Sequence, residues 1–215
     1  MTILSFLKRL DSARRNRRHR PEMEAFQQAV ARLTQDDIAI DCGANVGKFT
    51  TLMAETGATV YAFEPHPEAC ETLVRNTRQY PNVTVFNAAV TAEAGEVRLY
   101  LHKKSKQDPL TWSTSSSLLS NKSNVDAKNY VSVEGVPLSK FVRDLGRPVA
   151  LLKMDIEGAE VDVLNQLLND GMHESIGQAF VEVHDRRVPE LAGPTKKLRE
   201  RLAAMGVTTF RLDWR

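Results

Sequence analysis

The stretch Ile38-Ala39-Ile40-Asp41-Cys42-Gly43-Ala44-Asn45-Val46-Gly47-Lys48-Phe49-Thr50 leaves this chain few folds, because a short apolar run stops at an acid and gives way to two glycines. It reads as strand, tight turn and helix. Gly43 and Gly47 tolerate positive φ and close backbone approach, and Phe49, Leu52 and Met53 then recur at helical spacing. A helix N-terminus just past such a turn offers free N–H groups to an anion.

A second acid extends the pattern. Thr59-Val60-Tyr61-Ala62-Phe63 is a β-branched and aromatic run ending in Glu64, which follows Gly43 by 21 positions. In a βαβ unit this carboxylate stands at the end of the second strand, where it can accept the hydroxyl protons of a ribose. A nucleoside-bearing ligand is therefore expected. The turn has neither G-x-G-x-x-G spacing nor the G-K-[ST] ending of a phosphate loop, so a pyrophosphate is poorly served. An acid ahead of the first glycine suits a ligand carrying an ammonium and a sulfonium. Those two cations describe S-adenosylmethionine better than NAD or ATP.

With 215 residues, 42% of them hydrophobic, the chain can bury a full core in one domain with appendages. The formal charge of +2 conceals an asymmetry. Residues 1–20 hold Lys8, Arg9, Arg14, Arg15, Arg17, Arg18 and Arg20 against Asp11, so the remainder is mildly acidic. Ile3, Leu4, Phe6, Leu7 and Leu10 form an apolar face ahead of the arginines. That combination suits a helix packed on the domain, a peripheral contact with an anionic inner membrane face, or less well a nucleic-acid arm, since no aromatics interleave the basic residues. Cys42 and Cys70 fall in different elements without metal-ligand spacing, and no apolar run approaches a membrane span, so a reduced, cytoplasmic setting is expected.

The expected organisation is a basic helical extension over 1–35, with a helix from Pro21 to Leu33, followed by an α/β domain over 36–215. A helix after Pro65 and Pro67 puts Cys70, Leu73, Val74 and Thr77 on one face. Val83 to Phe86 is a third strand ending at Asn87-Ala88-Ala89, small groups that can border a flat ring. Glu96 to Leu101 alternates as a hairpin strand partnered by Val131-Ser132-Val133, and residues 102–129 between them read as a long substrate-side loop. Leu138, Phe141, Val142 and Leu145 form a helix face closed by Gly146. Val149 to Met154 is apolar enough for a strand buried on both sides, and a fifth strand over 179–183 ends at His184. A last helix with Leu198, Leu202 and Met205 inward precedes a strand over 207–212, one strand short of a seven-stranded sheet.

Ligands of open parallel sheets lie outside the carboxyl ends of the strands. Those ends carry Asp41, Glu64, Asn87, Asp155 and His184, more charge than fold stability calls for.

Asp41-Cys42-Gly43-Ala44-Asn45-Val46-Gly47, Ala62-Phe63-Glu64-Pro65-His66-Pro67, Ser116-Ser117-Leu118, Lys153-Met154-Asp155-Ile156-Glu157-Gly158-Ala159-Glu160 and Glu182-Val183-His184 occur in this order. Together they resemble the FkbM-type methyltransferases over roughly Ile38 to His184. The resemblance implies a class I, Rossmann-like, three-layer α/β fold with a mostly parallel sheet. It also implies S-adenosylmethionine-dependent methylation, usually of a hydroxyl on a sugar, glycolipid, polyketide or similar small acceptor. Asp41, Gly43, Asn45 and Gly47 match its first cofactor motif and Glu64 its ribose-binding acid.

With Ala44, Pro65, Asn87, Ala88 and Asp155, these make the expected cofactor contacts. Ser116, Ser117, Glu157 and His184 are expected at the acceptor. His184 is the expected general base, because its ordinary pKa lies near working pH, with Asp155 and Glu182 next. Glu160 is expected only to complement a helix dipole. No resident metal is expected; the weaker alternative is a divalent cation such as Mg²⁺ that binds a diol substrate, held by Asp155, Glu157, Glu182 and His184, with Asp155 and Glu182 foremost. The rival functions are RNA methylation using the basic arm and a non-catalytic membrane adaptor that keeps the fold.

Overall fold

The structure, a computed structural model, describes residues 21–103, 105, 113, 116–119 and 125–214. The apolar face and basic cluster expected over 1–20 lie outside the described residues.

Near-continuous apolar runs become the central strands. β1 (Ile38–Cys42) and β7 (Val149–Met154) pair in parallel and are almost entirely buried. β2 (Thr59–Phe63) and β3 (Val83–Phe86) extend the sheet on one side, and β8 (Ile176–Val181) and β9 (Phe210–Arg211) on the other. The order β3-β2-β1-β7-β8-β9, parallel throughout, reverses direction between β1 and β7. A ligand crevice therefore opens at the carboxyl ends of those two strands.

Alternation along β1 sends successive side chains to opposite layers. Ile38, Ile40 and Cys42 pack with α4 (Leu138–Leu145), α5 (Glu160–Asn169) and α6 (Ala192–Ala204). Ala39 packs on the other face with the helix over 21–30, α1, and with α2 (Lys48–Ala54). Phe26 of α1 is fully buried, with its ring centroid 5.3 Å from both Phe49 and Phe180 and 5.5 Å from Trp214. The second half of the expected 1–35 extension is thus part of the core, and the boundary at residue 35 must be corrected. α3 (Pro67–Thr77) buries Cys70, Leu73 and Thr77, whereas Val74 is 49% exposed.

A second sheet sits beside the first. β4 (Ala88–Thr91), β6 (Val125–Pro137) and β5 (Gly95–His102) pair in the order β4-β6-β5. β6 is thirteen residues long, so the expected loop over 102–129 loses both ends to strands. Met205 lies 43% exposed rather than inward, and the final strand has only two residues. Among the described residues no helix is long and apolar enough to cross a membrane.

Candidate active site

At the sheet's point of reversal, two strand ends touch. Gly43 has φ +75°, and a Cβ there would fall 1.8 Å from the Asp155 carbonyl oxygen, so only glycine fits. The Asp155 N–H donates to Cys42 O at 3.0 Å and closes the junction. Asn45, also at positive φ, aims its N–H at Glu64 Oε2 (2.7 Å) and its side-chain amide at Ser113 Oγ (2.8 Å). Glu64 Oε1 accepts from the His66 N–H at 2.8 Å.

Around this junction lies a cleft with about 600 Å³ of empty space, much of it open to solvent. Gly43, Asn45, Glu64, Pro65, Ser116, Asp155 and Glu157 line it, together with Ala89, Val90, Leu99, Ser113, Leu118 and Ile156. The glycine turn, the ribose-type acid and the segment after β7 thus share one cavity. Ser116 Oγ is buried there without a hydrogen-bond partner among the described residues.

Other expected contacts are placed elsewhere. Asp41 is fully buried behind the turn, with Oδ2 accepting from Thr50 Oγ1 (2.7 Å) and Oδ1 facing Lys153 Nζ (3.1 Å). It is not a ligand contact but the partner of a buried lysine. Lys153 Nζ also donates to Gly43 O at 2.7 Å, tying β7 to the turn. Burial pulls its pKa down, yet the carboxylates of Asp41 and Asp155 prevail and hold it above the usual lysine value. Ala44 packs with Ala62 and Leu73 in a small core cluster. Gly47 has no room for a Cβ because Leu73 Cδ1 would lie 2.8 Å away. Both serve packing rather than binding. Asn87 is exposed and donates to Glu64 O (2.9 Å) and Pro65 O (3.2 Å), while Ala88 belongs to the core. The cleft receives their neighbours Ala89 and Val90 instead.

The acidic end of the cleft is built from two loops. His184, 2% exposed, sets Nδ1 2.9 Å from Glu160 Oε1 and Nε2 3.1 Å from Glu157 Oε2 and 3.7 Å from Asp155 Oδ1. Glu160, fully buried, also accepts the N–H groups of Ile156 and Gly158 at 3.1 Å each. It stands in the first turn of α5, as the dipole role requires, and in addition organises the loop that carries Asp155 and Glu157. Glu157 stands at φ +60°, sparse territory for a side-chain-bearing residue. Its carbonyl accepts the Ser117 hydroxyl at 2.6 Å, so Ser117, expected at the acceptor, instead braces this strained residue.

Electrostatics separate the two candidate bases. Burial lowers the His184 pKa, but contacts with the Glu157 and Glu160 carboxylates outweigh it and push it up to about 10. In the unliganded site these acids favour the protonated ring, which cannot accept a further proton. Burial raises the Asp155 pKa to about 7, with Lys153 opposing and Glu182 and Glu157 assisting. That value suits proton transfer near neutrality. Glu182 pairs with Arg187 at 3.4 Å and is not among the residues lining the cleft. Its expected catalytic and metal roles are withdrawn.

Ser113, Lys153 and Glu160 are the residues that sequence reasoning missed. A lone lysine inside the run Val149 to Met154 was the available signal, since a buried ammonium needs a buried acid.

The chain is similar to several known proteins. Hexuronic acid methyltransferase AglP of Haloferax volcanii is 24% identical over 203 residues, which cover 90% of this chain and 74% of that protein. The 2-O-methyltransferase NoeI of Sinorhizobium fredii is 25% identical over 153 residues, covering 66% of this chain and 62% of that one. An rRNA methylase from Streptococcus thermophilus superposes with a TM-score of 0.46 at 11% identity, covering 80% of this chain and 76% of its own. The sequence pattern of the methyltransferase FkbM domain matches residues 41–207, most of the chain, and the protein belongs to the FkbM methyltransferase family.

Proposed function

We propose that this chain transfers a methyl group from S-adenosylmethionine to a hydroxyl oxygen of a sugar-like acceptor. The observation that carries the reading is the single cleft lined both by the Gly43 turn with Glu64 and by Asp155 with Glu157. The residues fit the cofactor chemically. Each oxygen of Glu64 takes one backbone N–H and keeps a lone pair for a ribose hydroxyl. Ala89, Val90, Leu99 and Leu118 supply apolar walls for a base.

Bound S-adenosylmethionine supplies an electrophilic methyl carbon on a sulfonium that departs as a neutral thioether. The protein's share is to hold the acceptor oxygen in the cleft, exclude water and take the hydroxyl proton onto the Asp155 carboxylate. Support for a sugar-like acceptor comes from the relatives named for hexuronic acid and 2-O methylation.

The test is titration calorimetry with S-adenosylmethionine, paired with tritiated methyl transfer onto a panel of uronic acids and neutral sugars. Glu64→Ala removes two charge-assisted hydrogen bonds to the ribose and should weaken cofactor binding by about 2–3 kcal/mol, or roughly 30- to 160-fold. Undiminished binding by this variant would refute the assignment of Glu64.

A pH dependence follows from the same residue. Burial, opposed by the His66 and Asn45 N–H groups and by Lys153 and assisted by Asp41, raises the Glu64 pKa from 4.5 to about 7. The fold therefore favours the protonated carboxyl. That contribution to stability is complete below the ordinary value and is lost as pH rises through about 7. Ribose binding favours the ionised form, which grows from about one tenth at pH 6 to about nine tenths at pH 8. The cofactor Kd of the parent should fall about tenfold more over this window than that of Glu64→Gln, a comparison that cancels the titration of the ligand's own amine. Parallel pH profiles for the two proteins would contradict it.

A further inference from the structure

The group at the end of the cleft has a feature that methyl transfer does not explain. Asp155, Glu157 and His184 each present one ligand-type atom, and these three atoms lie within 4.8 Å of one another. Gathered carboxylates alone point to nothing, so the weight falls on the histidine. His184 is 2% exposed, and its buried Nε2 points into the site, where the Glu157 and Asp155 carboxylates stand 3.1 and 3.7 Å away. Asp155 Oδ1, which it faces, is likewise buried and without a hydrogen bond. Behind the ring, Glu160 accepts from Nδ1 at 2.9 Å and is itself pinned by two backbone N–H groups. A carboxylate that fixes one ring nitrogen directs the lone pair of the other, which is how metal-ligating histidines are oriented.

We propose that Asp155, Glu157 and His184 form a divalent-cation site whose remaining positions face the cleft and take two neighbouring oxygens of the acceptor. A cation about 2.1 Å from each ligand needs ligand atoms roughly 3.0–3.4 Å apart. Nε2 already lies 3.1 Å from Glu157 Oε2 and 3.7 Å from Asp155 Oδ1, and all three atoms fall within 4.8 Å, so the two carboxylates need draw together by no more than about 1.8 Å. One imidazole nitrogen with two carboxylates selects a first-row ion such as Mn²⁺ or Zn²⁺ over Mg²⁺, which prefers an all-oxygen shell. Of the expected cation ligands, Asp155, Glu157 and His184 are kept, Glu182 drops out, and the ion changes from Mg²⁺. Asp155 and Glu157 line the cleft, so the open positions belong to an acceptor with adjacent oxygens, a vicinal diol or a 2-hydroxy acid. A cation held through Asp155 Oδ1 would lower the basicity of that carboxylate but also the pKa of an acceptor hydroxyl bound to the cation, so Oδ2 could still take the proton.

The cation site stands on its own geometry, while its service to an acceptor rests on the methyl-transfer reading. Mn²⁺ binding is therefore measured on the full chain without cofactor or acceptor, by loss of the free-ion EPR signal in mildly alkaline buffer. The parent should take up one Mn²⁺ per chain. Asp155→Asn and His184→Gln should each weaken uptake by at least about tenfold, and Glu182→Gln should leave it unchanged. Circular dichroism reports whether each variant is folded. The isosteric Asp155→Asn, at a side chain 31% exposed, carries the test should His184→Gln fail to fold. No uptake at millimolar Mn²⁺, or equal uptake by the parent and Asp155→Asn, overturns the proposal and leaves His184 as an imidazolium held between acids. Acceptor chelation is read separately, as tighter Mn²⁺ binding in the presence of a uronic acid. Mn²⁺ uptake without cofactor binding would sink the methyl-transfer reading and leave the cation site standing.

Discussion

Lys153→Met should lower the free energy of unfolding by about 3–5 kcal/mol, read as a shift of the urea midpoint followed by tryptophan fluorescence. The lysine side chain is 3% exposed, Asp41 is completely enclosed, and their charges sit 3.1 Å apart. Removing the ammonium leaves a carboxylate in the interior with Thr50 as its only remaining side-chain donor among the described residues. It also strips the Gly43 carbonyl of its 2.7 Å donor. The sign of the coupling is the decisive part. Asp41→Asn combined with Lys153→Met removes both charges while keeping an acceptor for Thr50, so the double variant should be more stable than Lys153→Met alone. A double variant as unstable as the sum of the two singles would show that the pair is not coupled.

The other large effect concerns turnover. Asp155→Asn should fold with near-parental stability yet transfer methyl groups about a hundred to ten thousand times more slowly, in a tritium-transfer assay with saturating cofactor. The amide occupies the same volume but cannot take a proton. The loss should appear in kcat rather than in the cofactor Kd, because Glu64 and the Asn45 turn hold the other end of the cleft. Parental kcat in this variant would move the base elsewhere on the rim.

Much of this was legible because buried parallel strands advertise themselves as unbroken apolar runs. Ile38 to Cys42, Thr59 to Phe63 and Val149 to Met154 could hardly be anything else, and the rule placing ligands at their carboxyl ends located the cleft. What stayed hidden was which acids face outward. Asp41, Glu64 and Asp155 each follow an apolar run in the sequence, yet Asp41 falls inside β1, in register with Lys153 on the neighbouring strand, while the other two lie just past β2 and β7 and reach the cavity. Alternation gives a side chain's layer but not its partner, and β1 and β7 are more than a hundred residues apart in the chain. His184 illustrates the same limit. Its pKa depends on Glu157 and Glu160, brought to it by the turn after β7. The ordinary histidine value therefore misled. The 1–35 boundary failed for a different reason: arginines dominate the composition there, and the single deeply buried Phe26 carried the contrary information.

Ser117 ties two things together that need not have been tied. Its hydroxyl holds the Glu157 backbone in an unfavourable twist, and Leu119, two residues on, rests against Gly158, where any side chain would collide with it. Seating residues 116–119 and aiming Glu157 are thus a single event. A substitution that lifts residues 116–119 off Gly158 therefore loosens the Glu157 rim of the cleft at the same time.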